Sequence, residues 1–341
     1  MTILAAMLKP SQVDSAALSV TDATVALCKA SGDPLRLQVL RVLSRDAYGV
    51  LELSQIFDVR QSALSHHLKV LATAGLVVTR REGNSIFYRR ALKSLMAETE
   101  ALQAAIYATA DRLELEPALQ DRILTVRNER SQQSLEFFTR NSDQFESQQE
   151  QIVAYSLYGP ATDELLLSQQ AKGELAIEVG PGAGEFLEVL AQRYQRVIAI
   201  DNAEGMLSLA RQRVERQQLS NVDCRLGDLS DEEGELADCV VMNMVLHHVP
   251  SPAELMQAAA KKLKPGGVMS ITELCAHEQD WAREACGDVW MGFEPEDLSR
   301  WAADCGLQAG AEQYLAQRNG FQVQLRHFLK RSTNDSLRAV H

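Results

Sequence analysis

The chain has 341 residues, 46% of them hydrophobic, and its 34 Lys and Arg against 46 Asp and Glu give a formal net charge of −12. That length predicts two domains with a connector, and six cysteines without a C-x-x-C pair suit a reducing cytosol rather than a disulfide scaffold. No apolar run approaches the roughly 20 residues of a membrane span. The opening MTILAAMLKP is too short and lacks the leading basic residue of a signal peptide, so a cytoplasmic protein without a membrane partner is expected.

The first clear helix signal is SGDPLRLQVLRVLSRD at 31–46, with a capping Ser31 or Asp33, a first-turn Pro34 and apolar residues at helical spacing. Residues 50–92 continue with two short helices joined by the turn FDVRQS, the second ending at Gly75. VVTRR, the turn residues Glu82, Gly83 and Asn84, and SIFYRR then alternate as a β-hairpin. Three helices and a basic hairpin predict a winged helix-turn-helix over 1–95. The second helix of such a pair enters the major groove of double-stranded DNA. Gln61, Ser62, Ser65 and His66 would face base edges, with His67 and Lys69 nearer the backbone. On the wing, Arg80, Arg81 and Asn84 would meet phosphate or the minor groove. Charge supports this reading. Residues 29–95 carry 11 Lys and Arg against 5 Asp and Glu, a net of +6, while the rest of the chain is at −18. A basic island in an acidic chain is a footprint for nucleic acid.

SGDPLR, SALSHHLKVLATAGLV and RREGNSIFY resemble the ArsR family of bacterial repressors across about 65 residues. The resemblance implies a homodimer on operator DNA, and it also raises the question of metal sensing. Where many members carry a cysteine pair, this chain has Val50, Leu51, Glu52 and Leu53; the DNA-binding half holds only Cys28, and residues 91–115 contain no histidine. Soft metals need several convergent thiolates or imidazoles, so no metal is expected.

Residues 96–150 read as a helical connector. Leu95, Leu102, Ile106 and Leu113 lie on one stripe, which either packs on its own domain or, as the resemblance implies, forms the dimer helix; the second reading is preferred. Phe137, Phe138 and Phe145 punctuate its polar second half as a lid or a hinge face.

From 174 to 275 strand and helix patterns alternate. GELAIEVGPGAGEFLEVL reads as strand, glycine turn and helix start; RVIAID ends on Asp201; NVDCRLGDL closes on Asp228; ADCVVMNMVLHHV is a near-continuous apolar run. LKPGG reads as a turn and VMSITEL as a fifth strand, with helical spacing in MLSLARQRVERQQL and PAELMQAAAKKL between them. This predicts a parallel sheet covered on both faces, with ligands beyond the carboxyl ends of the strands. Gly180, Gly182 and Gly184 follow Glu178 with the third glycine one residue earlier than the dinucleotide fingerprint places it.

These motifs resemble class I methyltransferases over roughly 150–330, and the resemblance implies S-adenosylmethionine or S-adenosylhomocysteine as cofactor. Glu178, Gly180, Gly182 and Gly184 match its first motif, Asp201 its ribose carboxylate, and Asp228 with Leu229 its adenine side; Asn202 and Met206 would pack on the adenosine. The expected architecture is α/β: an N-terminal winged helix-turn-helix domain, a helical connector, a Rossmann-like class I methyltransferase fold over 151–331, and a tail at 332–341.

His247 and His248, just past the fourth strand, are candidate catalytic bases, since imidazole is poised near neutral pH. Residues 285–307 would cap the substrate side, where Trp290, Met291 and Phe293 either enclose an acceptor or, as aromatic residues at helical spacing more often do, belong to the core. The prolines and aromatic of amino-methylating DNA enzymes are missing at Asn243, Met244, Val245 and Leu246, and the clustered cysteines of arsenite methyltransferases are missing too. The domain order resembles S-adenosylhomocysteine-responsive repressors of methionine-cycle genes. The expectation is therefore a transcriptional repressor with a methyltransferase-fold effector domain; the alternative is an active small-molecule methyltransferase with an autoregulatory DNA-binding domain.

Overall fold

Ser19 and Asp33 open the first two helices, each accepting a backbone N–H from three residues on, at 3.0 Å in both cases. They cap α1 (Val20–Ser31) and α2 (Pro34–Val42), satisfying amides that a helix start leaves without partners. The structure, a computed structural model, describes residues 19–82, 85–141, 145–169, 171–232 and 234–332. The chain divides into two compact units, one of Tyr88–Leu115 with the chain up to Arg80, the other of Arg81–Phe87 with the chain from Glu116 onward.

In the first unit, β1 (Tyr48–Gly49) leads into α3 (Val50–Phe57), which stops where Asp58 turns left-handed at φ 52°. Next comes α4 (Gln61–Thr73), closed by Gly75 at φ 73° and the Leu76 N–H bonded to the Leu71 carbonyl. The strands β2 (Val77–Glu82) and β3 (Ser85–Arg90) pair, with β1 beyond β3. Leu40, Leu43, Leu53, Ile56, Leu64, Leu68 and Leu71 are fully buried, each adding about 1.5–3 kcal/mol of burial. This is the helix-turn-helix and hairpin that the pattern predicted.

The connector stripe divides. In α5 (Glu100–Ala110), Ile106 is buried, the Gln103 amide donates to the Gly75 carbonyl at 2.9 Å, and the Tyr107 hydroxyl donates to Leu76 at 2.6 Å. This face packs within its own unit, while Leu95 stays 57% exposed.

The second unit begins with α6 (Pro117–Asn141), α7 (Phe145–Ile152) and α8 (Tyr155–Ser168). Alternation follows: β4 (Gly173–Val179), α9 (Leu187–Arg193), β5 (Tyr194–Asp201), α10 (Glu204–Gln217), β6 (Val222–Leu226), β7 (Ala237–Asn243), α11 (Pro252–Lys262) and β8 (Leu263–Leu274). Then come α12 (Asp280–Cys286), α13 (Pro295–Asp304), β9 (Leu307–Ala316) and β10 (Gln322–Lys330). The sheet order is β6-β5-β4-β7-β8-β10-β9, with the first five strands parallel and β10 antiparallel to both neighbours. Strand order reverses between β4 and β7, which opens a crevice at their carboxyl ends.

Three sequence expectations shift. The run 237–249 is strand only to Asn243; Met244 turns left-handed at φ 57°, and Leu246–His248 form a 3-10 turn. LKPGG lies within β8, not in a turn before it. Asp228 stands two residues past the end of β6, after Gly227 at φ 146°. The antiparallel pair β9 and β10 was not foreseen, because Gln, Glu and Arg interrupt its apolar period. No described helix is long and apolar enough to cross a membrane.

Candidate functional site

The glycine turn leaves β4 in left-handed backbone, with Gly180 at φ 62° and Gly182 at φ 57°. The Gly180 N–H is tied to the Ile200 carbonyl at 2.8 Å, fixing the turn against β5. A Cβ on Gly180 would stand 2.8 Å from a Val245 methyl, so the turn has no room for a side chain there. Gly184, at φ 76°, has a different task. Its Cβ would lie 3.1 Å from the Ala210 Cα, so it permits close packing on α10 and lines neither hollow described below.

Two hollows meet at this turn and share Gly180, Gly182 and Met244. Asp201, Asn202, Met206, Asp228 and Leu229 line the larger one, and Glu178 lines the smaller with Tyr155, Tyr158 and Asn243. Eight of the nine residues expected at the cofactor therefore converge. Sequence reading did not assign Ser131, Ser134 and Leu135, which join Phe138 on the wall of the larger hollow. Their spacing from 131 to 138 marks one face of α6, readable in the sequence as a helix face but not as the wall of a hollow. Phe138 is thus on the wall rather than at a hinge; the Phe145 side chain lies outside the described residues.

Burial sets the electrostatics. It pushes the Glu178 carboxyl up to about 8, against the stabilising Asn243 amide at 3.3 Å and with Glu185 adding repulsion. Glu178 Oε2 and Asn243 Oδ1 are buried without a hydrogen-bond partner, an arrangement suited to a ligand donor. Burial also pushes Asp201 up to about 6, opposed by the Ala203 N–H at 2.8 Å and reinforced by nearby Asp228. Asp228 in turn accepts from the Asn202 amide at 3.1 Å.

The two histidines separate. His248 lines the larger hollow, its ring edge-on to Phe138 at 4.8 Å. Burial and then His247 hold it well below the usual imidazole range. His247 is 2% exposed and lines neither hollow; its Nδ1 lies 2.5 Å from Glu273 Oε1 and its N–H donates to Oε2 at 3.2 Å. Burial opposes its protonation, but Glu273 and Asp288 outweigh that and raise its pKa. Of the two readings of the aromatic segment, the core one holds. Trp290, Met291 and Phe293 are buried away from both hollows, and the Trp290 indole donates to the Val249 carbonyl at 2.8 Å.

On α4, Gln61, Ser62, Ser65, His66 and Lys69 are exposed. His67 is half-buried, its Nδ1 3.6 Å from Asp33 Oδ1. On β2, Arg80 is half-buried and Arg81 exposed; Asn84 lies outside the described residues.

Residues 33–79 match the family model described as bacterial regulatory protein, arsR family, and residues 177–271 match the methyltransferase domain model. The ubiquinone biosynthesis O-methyltransferase of Coxiella burnetii is 25% identical over 151 residues, covering 40% of this chain and 64% of that protein. Its counterpart in Stutzerimonas stutzeri is 30% identical over 151 residues, covering 40% and 65%. The chain thus spans just under two thirds of these relatives. Burkholderia thailandensis 1,6-didemethyltoxoflavin-N1-methyltransferase, solved with S-adenosylhomocysteine, superposes with a TM-score of 0.51 at 14% identity, over 60% of this chain and 91% of that one. That likeness is one of fold.

Proposed function

For a chain that joins an ArsR-type DNA-binding domain to a methyltransferase domain, we propose the role of a transcriptional repressor whose methyltransferase-fold domain takes S-adenosylmethionine or S-adenosylhomocysteine as effector. In this reading Asp201 accepts the ribose hydroxyls, and Asp228, Leu229, Asn202 and Met206 surround the adenosine. Gly180 and Gly182 let main chain approach the ligand, and Glu178 meets the ammonium of the amino-acid end. The partnerless oxygens of Glu178 and Asn243 fit that ammonium. A homodimer would set one α4 into the major groove of each half-site, with Gln61, Ser62, Ser65 and His66 toward bases. His67, Lys69, Arg80, Arg81 and Asn84 would serve the backbone or the minor groove.

The observation that carries the sensor reading is the α6 wall. Ser131, Ser134 and Phe138 sit on the helix that directly follows the DNA-binding unit in the chain, and they line the hollow that holds Asp201 and Asp228. A ligand there would touch the connector itself, and it shifts DNA affinity if it binds the two conformations unequally. A tenfold shift needs only about 1.4 kcal/mol.

The test is a DNA-binding titration on the upstream region of the protein's own gene, at fixed salt, with each cofactor form added separately. A changed operator affinity with either form supports the repressor reading. Unchanged affinity, with binding of both forms shown calorimetrically, overturns it in favour of an active methyltransferase. That second reading is favoured by His248 in the same hollow and by relatives named as methyltransferases. When bound, S-adenosylmethionine supplies a methyl group on a cationic sulfur. His248 would then take the acceptor's proton, although its lowered basicity makes it a weak base.

A further inference from the structure

We propose that His247, His248 and Asp288 form a binding site for one divalent transition-metal ion of the zinc type. His247 Nε2 lies 3.8 Å and His248 Nδ1 3.6 Å from Asp288 Oδ1, and one ligand atom of each residue lies within 4.8 Å of the others. Metal bonds of about 2.0–2.2 Å place tetrahedral ligands roughly 3.3 Å apart, so a small inward movement closes the set. Two imidazoles and one carboxylate are a donor set for zinc and its neighbours.

The surroundings match what such sites require. A metal-bound imidazole commonly gives its second ring N–H to a carboxylate, which fixes its tautomer and orientation. Here Glu273 Oε1 stands 2.5 Å from His247 Nδ1, leaving Nε2 for the ion. The Leu274 N–H holds that same oxygen at 2.6 Å. The Asp288 loop is pinned in turn, because the Val289 and Trp290 amides both donate to the His247 carbonyl, at 2.9 and 3.0 Å. His247 and the Asp288 loop are therefore held before any ion arrives, while His248 Nδ1, 3.4 Å from the Gly287 carbonyl, would exchange that contact for the ion.

Charge gives a second, independent argument. The side chains of Glu273 and Asp288 are both fully buried and share the His247 imidazole. A divalent ion bound between them would place positive charge beside both carboxylates, where a low dielectric strengthens the attraction. These ligands come from the turn after β7 and the loop after α12 (Asp280–Cys286), not from the DNA-binding half. His248 also lines the larger hollow, so the ion would border the proposed effector pocket.

The test uses the full chain with any histidine tag removed, purified without chelator, with metal content measured by mass spectrometry and Co2+ titrated by its visible absorption. One Co2+ per chain with a low-coordinate spectrum is expected. His248→Ala and Asp288→Asn should lose it, and Glu273→Gln should weaken it about 10–100-fold. Glu174→Gln, an exposed carboxylate paired with Lys264, should bind as the parent does. Circular dichroism and cofactor binding confirm folding; if Asp288→Asn does not fold, His248→Gln carries the comparison. A folded parent that takes up no Co2+ overturns the proposal, as does an unchanged spectrum in His248→Ala, leaving a buried carboxylate–imidazole network. The cofactor titration in the same samples reports on the effector reading separately.

Discussion

The Asn243 amide donates to one oxygen of the Glu178 carboxylate at 3.3 Å, while the other oxygen of this buried group has no hydrogen-bond partner. Burial accordingly pushes Glu178 up to about 8, so at pH 7 the unliganded protein carries it mainly protonated. An ammonium arriving at Glu178 would favour the carboxylate. Calorimetry of cofactor binding at pH 7, in buffers of different ionisation enthalpy, should reveal net proton release. Glu178→Gln should remove the release and weaken binding about tenfold or more. Binding by the parent with no proton exchange would remove Glu178 from the ligand contact.

Stability follows the same sign. Glu178 and Asp201 have folded values above the ordinary carboxyl values of 4.5 and 3.8, so the folded state holds protons more tightly. Their contribution is fully present below those values and is lost as pH rises through about 6 for Asp201 and about 8 for Glu178. Melting temperature of the unliganded protein should therefore drop across this window. Saturating cofactor should flatten the drop, and an identical profile with cofactor would contradict the assignment.

Asp201 also makes its own prediction. If the ionised carboxylate accepts ribose hydroxyls, cofactor affinity should rise with pH through about 6. Hydrogen bonds to a charged group contribute about 1.5–3 kcal/mol, so Asp201→Asn should weaken binding roughly 10- to 100-fold and abolish the pH dependence. An Asn variant that keeps both affinity and pH profile would place the ribose elsewhere.

Gly182→Leu adds a side chain to left-handed backbone between the two hollows. Operator binding should persist with its usual salt sensitivity, while the response to cofactor is lost. Phe138→Ala should weaken the response without removing cofactor binding, because Phe138 belongs to the α6 wall. A full response in the Gly182 variant would mean that the ligand sits outside this pocket.

On the DNA side, Arg81→Ala should weaken binding to all sequences alike and reduce the salt slope by about one. Gln61→Ala should instead cost about 1–3 kcal/mol at one base position. Competition assays with single-base operator variants, repeated at several salt concentrations, distinguish the two. A base-specific loss in the Arg81 variant would exclude a phosphate contact.

Much of this protein is written locally. The Asp33 cap, Pro34, the helical spacing of the leucines and the basic hairpin identify the DNA-binding domain, because caps, periodicity and charge act over a few residues. The glycine turn and the acidic residues at strand ends likewise mark the parallel sheet and its crevice. What neighbours decide was not legible. Ile106 is buried within its own unit, Gly184 packs on α10 and lines neither hollow, and Trp290, Met291 and Phe293 fill the core rather than line either hollow. His247 and His248 are adjacent in sequence, yet β8 and the loop after α12 bury the first between two carboxylates while the second faces the hollow. Sequence alone determined the two domain types and most of the residues around the glycine turn, since both depend on short-range pattern. Only tertiary packing decided the α6 wall and the histidine–carboxylate cluster, since burial and electrostatics there depend on side chains far apart in the chain.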